Sequence, residues 1–293
     1  MATVPILTKL AVQWQIGNQC DYKCDYCHHN YHDGSNPFLS REKFQTAIEN
    51  LSKSVTHDIV IIEFQGGEPT NCDPVRDAIA NPSDKFRYVL TTNASQSLDW
   101  WSKAVKNLIG VFISYHPEYC DPEHFKRVIE IVKGSGIEYS IIINAHPKQE
   151  RWHDAVAMYE LFRSEPIQFR ALYANHEKGN NKFFDYNQEQ WDYYTRVNNI
   201  QPPKEEPVET QIQWVEKRLY NNYKGHLCWA GVDQIVVDYF GYAYRGWCHA
   251  HGSIGNVFEG PITMDDKPKV CPYIICKNGF DQLAKKSENS WGL

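Results

Sequence analysis

The sequence lacks the long apolar run of a membrane span: no stretch approaches about 20 consecutive apolar residues. Its opening residues, MATVPILTKLAVQWQ, lack the basic and apolar blocks of a signal peptide. A cytoplasmic location without a membrane partner is therefore expected. Blocks of Lys and Arg are missing as well, and 36 acidic residues against 30 basic ones give a net charge of −6. Nucleic-acid binders usually carry a basic stripe, so no nucleic-acid partner is expected. There is no internal repeat and no low-complexity tract. With 42% hydrophobic residues the composition excludes the fibrous and disordered classes. The 293 residues suffice for one large domain, or a medium domain with a small companion, and for a core that needs no disulfide staples. In a reducing compartment the nine cysteines stay free, which points to metal binding or catalysis.

Short β-rich runs alternate with helical patterns over the first 172 residues. Leu10, Val12, Trp14 and Ile16 alternate with Ala11, Gln13 and Gln15, the period of a strand, so the two glutamines face away from the apolar side. Phe44, Ala47, Ile48 and Leu51 follow with helical spacing. The later strands are Ile59–Phe64, Tyr88–Asn93, Val111–His116, Ser140–Asn144 and Ile167–Leu172, and helices are predicted between them near Pro74–Ala80, near Leu98–Leu108, after Asp121 and around Trp152–Phe162. Asp121 and Pro122 form a cap and first-turn pair. Six β/α alternations imply an α/β fold: a partial (β/α)6 barrel of parallel strands. The rhythm breaks after Leu172. A helix over Glu189–Val197 and a Pro- and Glu-rich stretch at Pro202–Pro207 read as a connecting segment. Beyond Gly225, Gln234–Tyr239 and Tyr242–Trp247 predict a β-hairpin lying between two cysteines. The predicted division is 1–173 for the barrel, 174–224 for the connection and 225–293 for a small cysteine-rich domain.

Cys20, Cys24 and Cys27 follow the first strand with the spacing C-x3-C-x2-C. Three thiolates in one loop can converge on a soft metal centre and leave one position open. His28, His29 and His32 follow closely, so a Cys/His zinc site is an alternative reading. Gly66, Gly67, Glu68 and Pro69 come directly after the second strand. The two motifs together resemble the radical S-adenosylmethionine (SAM) superfamily, whose signature has an aromatic residue before the third cysteine, here Tyr26. The resemblance implies that Cys20, Cys24 and Cys27 hold a 4Fe-4S cluster that chelates SAM. It also implies that Gly66 and Gly67 let the backbone approach the ligand, and that Glu68 meets the methionyl ammonium. Weaker matches place Asn93, Ser114, Ile142, Asn144 and Arg170 among the SAM-binding residues, all at or near strand ends, where α/β barrels set their active sites. Cys120, as a hydrogen-atom donor, and His116 are the candidate catalytic residues. Cys72 is expected to be inert packing.

Cys228, Cys248, Cys271 and Cys276 flank and follow the predicted hairpin. This resembles the twitch domain, a shortened SPASM domain, and implies a second, auxiliary 4Fe-4S cluster; a structural four-cysteine zinc site is the alternative. The function implied is reductive cleavage of SAM to a 5′-deoxyadenosyl radical, which abstracts a hydrogen atom from a substrate C–H bond in a net oxidation or epimerisation. An electron donor such as flavodoxin or ferredoxin is the implied partner. Nineteen residues before Cys20 tilt the expected substrate toward a small molecule. A short peptide, as in a ribosomal-peptide (RiPP) maturase, is the alternative, and a non-enzymatic zinc-binding module is the second.

Overall fold

The computed structural model describes residues 8–27, 32–175, 182–203, 205–218, 222–276 and 278–287. His28 and His29 of the zinc alternative lie outside the described residues. Six strands alternate with five helices in the first part of the chain: β1 (Lys9–Gln15), α1 (Arg41–Ser54), β2 (Ile59–Gln65), α2 (Asp73–Ala80), β3 (Phe86–Thr92), α3 (Leu98–Ala104), β4 (Leu108–Tyr115), α4 (Pro122–Ser135), β5 (Glu138–Ala145), α5 (Gln149–Phe162) and β6 (Ile167–Ala171). All six strands are parallel and neighbours in chain order, the arrangement of a partial (β/α) barrel.

Local chemistry starts the helices where the sequence signals lie. Ser40 accepts from the Lys43 N–H at 3.2 Å to cap α1. Asp121 accepts from the Glu123 N–H at 2.9 Å to cap α4, with Pro122 in the first turn, and Gly136 ends that helix in the left-handed region at φ 76°. One predicted boundary fails. The helix expected to reach Leu108 stops at Ala104, because Leu108 is buried in the sheet as the first residue of β4.

The strands bury one face against the helices. Leu10, Val12 and Trp14 of β1 join Val60, Ile62 and Phe64 of β2 in the main core, and Trp14 stacks on Phe44 of α1 with ring centroids 5.5 Å apart. The period-2 alternation turns the other face, including Gln13, Glu63, Thr91 and Ser114, toward the barrel interior. Gln13 accepts from the Trp247 indole N–H at 2.6 Å, and the Thr91 hydroxyl donates to Glu63 at 2.7 Å. The two glutamines of β1 therefore point inward, as their spacing predicts.

Beyond β6 come a two-stranded ribbon, β7 (Tyr173–Asn175) with β8 (Lys182–Phe183), and two helices, α6 (Gln188–Val197) and α7 (Val208–Arg218). The connecting segment is thus more structured than its composition suggests. A capping box between Asn187 and Gln190 fixes the start of α6. After the two-residue β9 (Leu227–Cys228), β10 (Gln234–Val237) and β11 (Tyr242–Tyr244) form the expected hairpin, the first strand ending before Tyr239 and the second before Trp247. Asp238 Oδ1 accepts from the N–H groups of Phe240 and Tyr242, each at 2.9 Å, and so closes the turn early.

The hairpin lies on the barrel sheet: β10 pairs parallel to β1, with Ala11 opposite Gln234. With β12 (Ser253–Asn256) it extends the sheet to nine strands in the order β12-β11-β10-β1-β2-β3-β4-β5-β6. All four residues of β10 are buried, and a free hairpin would leave Ile235, Val236 and Val237 in water. A separate three-stranded sheet joins β9 to β13 (Lys269–Val270) and β14 (Lys286–Ser287), and the short α8 (Gly279–Leu283) lies between the last two. No helix among the described residues is long and apolar enough to cross a membrane.

Candidate functional site at the C-terminal ends of the barrel strands

The loop after β1 and the loop after β2 close on each other through backbone hydrogen bonds. The Gly67 N–H donates to Gly17 O at 3.0 Å and the Glu68 N–H to Gln19 O at 2.8 Å. A Cβ on Gly66 would lie 2.2 Å from Gly17 O, and one on Gly67 2.0 Å from Gln19 O. The glycines are therefore required by the approach of the cysteine loop's own backbone. This gives the tandem glycines a physical reason inside the chain: they seat the cysteine loop.

Glu68 is almost fully buried and organises the end of β3. Its Oε1 accepts from the Thr70 N–H at 3.0 Å, the Thr70 hydroxyl at 2.7 Å and the Thr92 hydroxyl at 2.8 Å, and its Oε2 accepts from the Asn93 N–H at 2.7 Å. Burial pushes the Glu68 carboxyl upward, and these four donors pull it back toward the charged form. Asn93 passes the order on: its Nδ2 donates to Asp21 Oδ1 at 2.9 Å and lies 3.9 Å from Cys20 Sγ. The Tyr22 N–H points at the same sulfur from 3.4 Å.

One cavity of about 180 Å³ is walled by Cys20, Cys24, Cys27, Gly66, Gly67, Glu68, Asn93, Ser114 and His116, together with Tyr22, His32, Gln65, Thr91 and Thr92. The structure thus brings the three cysteines, the glycine–glutamate motif and three strand-end residues into a single wall. His116 Nδ1 lies 2.6 Å from the Tyr26 hydroxyl and 3.3 Å from Cys24 Sγ, and the Tyr26 and His116 rings stack at 5.9 Å. Burial pushes the His116 imidazole down to about 4, with the Arg170 cation adding to the effect, so the ring is neutral and can accept from Tyr26.

Five predicted residues are placed elsewhere. Tyr26 is buried beside the wall, against His116. Ile142 is buried in β5, and Asn144 donates to Tyr115 O at 3.1 Å, which ties β5 to β4. Arg170 lies on β6, outside the wall. Cys120 is also off the wall: it is buried, hydrogen-bonded to the Tyr22 side chain, and burial pushes its thiol up to about 12. Cys72 is fully buried in the main core, as packing predicts.

Asp25 was missed by the sequence reading, although it stands inside the cysteine loop. Its carboxylate takes His146 Nε2 at 3.0 Å and Lys148 Nζ at 3.0 Å from the β5–α5 connection, and Arg151 Nη1 at 2.9 Å from the first turn of α5. His146 Nδ1 accepts from the Lys148 N–H at 3.1 Å, which leaves Nε2 as the donor to Asp25. Arg151 also reaches Glu118 at 2.5 Å, so one arginine joins the cysteine loop to the loop after β4. The only sequence signal for this clamp is a lone acid between Cys24 and Cys27.

Burial raises all three thiols, Cys24 to about 12 and Cys27 to about 11. Thiols bind metal as thiolates, so such a pocket gives up its protons only to a strongly cationic centre. No three His, Cys, Asp or Glu side chains among the described residues close on a single ion. Zn–S bonds of about 2.3 Å would force sulfurs together around one ion, whereas thiolates on a polynuclear cluster sit on separate corners. Three thiols facing one shared cavity are a donor set that such a cluster could take.

Near the other end of the chain, β9 places Cys228 opposite Lys269 and Lys286, two residues before Cys271 and ten after Cys276 respectively. Cys228, Cys248 and Cys276 each lie close enough to another of the four cysteines to feel its charge, and burial pushes Cys248 up to about 12 and Cys276 up to about 11. Buried Asp281 accepts from the N–H groups of Trp247 at 2.9 Å and Cys248 at 2.8 Å, fixing the loop that carries Cys248.

No family model matches the sequence, and no curated protein matches it. Solved structures do match. Native anSMEcpe with bound AdoMet aligns over 85% of this chain and 78% of its own, at 17% identity and a TM-score of 0.51. The same protein with AdoMet and the Cp18Cys peptide aligns over 86% and 78%, at 17% identity and a TM-score of 0.53. The chain shares its fold with anSMEcpe. In this fold the cysteine loop, the glycine–glutamate turn and the ends of β3 and β4 form one wall.

Proposed function

We propose that this chain is a radical SAM enzyme that cleaves SAM reductively and abstracts a hydrogen atom from a substrate C–H bond. The observation that carries the reading is the shared cavity: Cys20, Cys24 and Cys27 face the same space as Glu68, Asn93 and Ser114 at the C-terminal ends of parallel strands. Cys20, Cys24 and Cys27 would hold the 4Fe-4S cluster. When bound, that cluster supplies the electron that splits SAM into methionine and a 5′-deoxyadenosyl radical.

The chain's own part is positioning. Asp25 clamps the cysteine loop to the β5–α5 connection, and Gly66 and Gly67 let the loop close on β2. Glu68, already holding four donors, orders the end of β3 and presents negative charge to the methionyl ammonium. Asn93, Ser114 and neutral His116 line the remaining wall. In this reading Ile142 and Asn144 flank the adenosyl group from β5, and Tyr26 and His116 shield the loop from water.

Cys228, Cys248, Cys271 and Cys276 would hold a second 4Fe-4S cluster in a twitch-like C-terminal region, supported by their mutual electrostatic influence. Such a centre can take the electron of a substrate radical and make the reaction a net oxidation. Flavodoxin or ferredoxin would supply the first electron. The substrate is a small molecule or a short peptide. The peptide class draws support from the similar fold of anSMEcpe, which was solved with a peptide bound.

Anaerobic reconstitution with iron and sulfide, followed by SAM and dithionite, tests the reading. A brown protein with about eight irons that releases 5′-deoxyadenosine is the expected result. A colourless protein that holds zinc and leaves SAM intact would establish the zinc-module alternative instead.

A further inference from the structure

The inward face of the barrel is concave and open. Phe112 sits mid-strand in β4, with strands on both sides, yet keeps 37% of its surface exposed. It shares its face with Ser114 of the cavity wall, two residues on. Across the sheet, Arg170 of β6 pairs in register with Asn144 of β5, at the same end of the barrel. Its side chain is accessible to solvent, yet protein surrounds it closely enough that desolvation lowers its pKa. Both are true of a group lining a concave interior.

Two other arginines that pack against the fold have carboxylate partners. Arg151 binds Asp25 and Glu118, and Arg245 binds Asp265. Arg170 has no hydrogen-bond acceptor and no carboxylate partner among the described residues; its electrostatic neighbours are Tyr173, Tyr194 and neutral His116. The interior's own carboxylate, Glu63, is held by Thr91 and Gln13. A guanidinium that faces an open interior without a carboxylate partner presents a planar fork that matches a carboxylate or similar oxyanion.

We infer that Arg170 anchors an anionic group of the substrate, a carboxylate or an oxyanion of like shape, inside the barrel beside the SAM cavity. The inference rests on the SAM-dependent reading above. The methionyl carboxylate of SAM offers the same chemistry, but Arg170 lies off the wall formed by the cysteines, Glu68 and Ser114. A substrate anion held there would lie next to His116, at the edge of the cavity proposed for SAM.

Two titrations on reconstituted holoenzyme separate the sources. SAM binding is measured by calorimetry in wild type and Arg170→Gln. With SAM saturating, 13C-labelled acetate is then titrated at constant ionic strength and its carboxyl linewidth followed. The expected result is saturable broadening in wild type, at least tenfold weaker in Arg170→Gln, with SAM affinity within twofold. Arg170→Lys keeps the charge without the fork and is expected to weaken acetate at least threefold; it serves if the Gln variant does not fold. A tenfold loss of SAM affinity would assign Arg170 to the cofactor and overturn the proposal. Acetate broadening that is absent, or identical in all three proteins, would overturn it too. Failure of wild type to bind SAM would defeat the broader reading, while acetate titrated without SAM still decides whether Arg170 holds an anion.

Discussion

The chain carries two cysteine sites, and they are built in opposite ways. Cys20, Cys24 and Cys27 lie on the loop after β1 and share a cavity with the ends of β2–β4, strands whose outward faces lie in the main core, and side-chain clamps at Asp25 and Glu68 fix the surroundings. Cys228, Cys271 and Cys276 sit around a sheet of two-residue strands, with Val270, Tyr273, Ile274 and Ile275 exposed beside them. Strands that short are too weak to stand on their own. The first site rests on the barrel core, and the second has little hydrophobic support of its own. What differs is the hydrophobic support beneath each set of thiols.

The strongest way to break this contrast is to remove the ligands. Replacing Cys20, Cys24 and Cys27 by Ala is expected to abolish 5′-deoxyadenosine formation and remove about half the iron while the barrel stays folded, as read by circular dichroism and thermal melting. Cys228→Ala should lower the melting temperature of the holoprotein and increase protease cleavage within residues 225–293. Equal destabilisation by both changes would show that the barrel site depends on its cluster as much as the C-terminal one does.

A smaller effect concerns how the C-terminal region is held apart from its cysteines. Arg245 and Asp265 form a nearly buried pair, joined by Lys269 at 2.9 Å. Asp265→Asn is expected to cost about 3–5 kcal/mol in urea unfolding, the cost of stranding a buried charge. Burial raises the Asp265 carboxyl, but Arg245 and Lys269 outweigh it and hold the group below its usual value. A depressed carboxyl stabilises above its unfolded pKa, about 3.9, and loses that contribution as pH falls through its folded value. The difference between wild type and Asp265→Asn should therefore be constant from neutral pH to about 4 and shrink below it. A difference that grows on acidification would contradict this pairing.

On the barrel side, Glu68→Gln is expected to destabilise by about 2 kcal/mol, because an amide donor would face the donors of Thr70, Thr92 or Asn93. SAM affinity should fall with it. Unchanged stability with weakened SAM binding would mean that Glu68 serves the ligand alone. Asp25→Asn should have the smallest effect on stability, about 0.5 kcal/mol, because its carboxylate is partly exposed and its ion pairs are screened. The affected step is the ordering of the cysteine loop, so iron should load more slowly. Identical loading kinetics would remove Asp25 from that role.

The barrel was legible in the sequence because each strand repeats an apolar residue at every second position, or runs apolar throughout, between helices of period 3.6. The end of α3 was not: Val105 and Leu108 continue the apolar pattern of the helix, and only burial in the sheet decides that Leu108 starts β4. In the site, the cysteines and the glycine–glutamate turn were legible as motifs with fixed spacing. Asp25 and His146 were not, because their pairing spans 121 positions and no local pattern encodes it. The same holds for Asp281, 33 positions from the Cys248 N–H that it accepts from.

The sequence by itself determined the alternation of strands and helices, the inward polar face of β1 and the two sets of thiols. These follow from periodicity and spacing, which act between near neighbours. Only the tertiary structure decided that the hairpin after Gly225 adds to the barrel sheet beside β1, since edge strands choose partners by the apolar area that pairing buries. It also decided why Gly66 and Gly67 are glycines: the backbone of residues 17–19 fills the space where their side chains would be. And it left Arg170 without a carboxylate partner among the described residues, because the carboxylates of Asp25, Glu63 and Glu68 are each held by other partners.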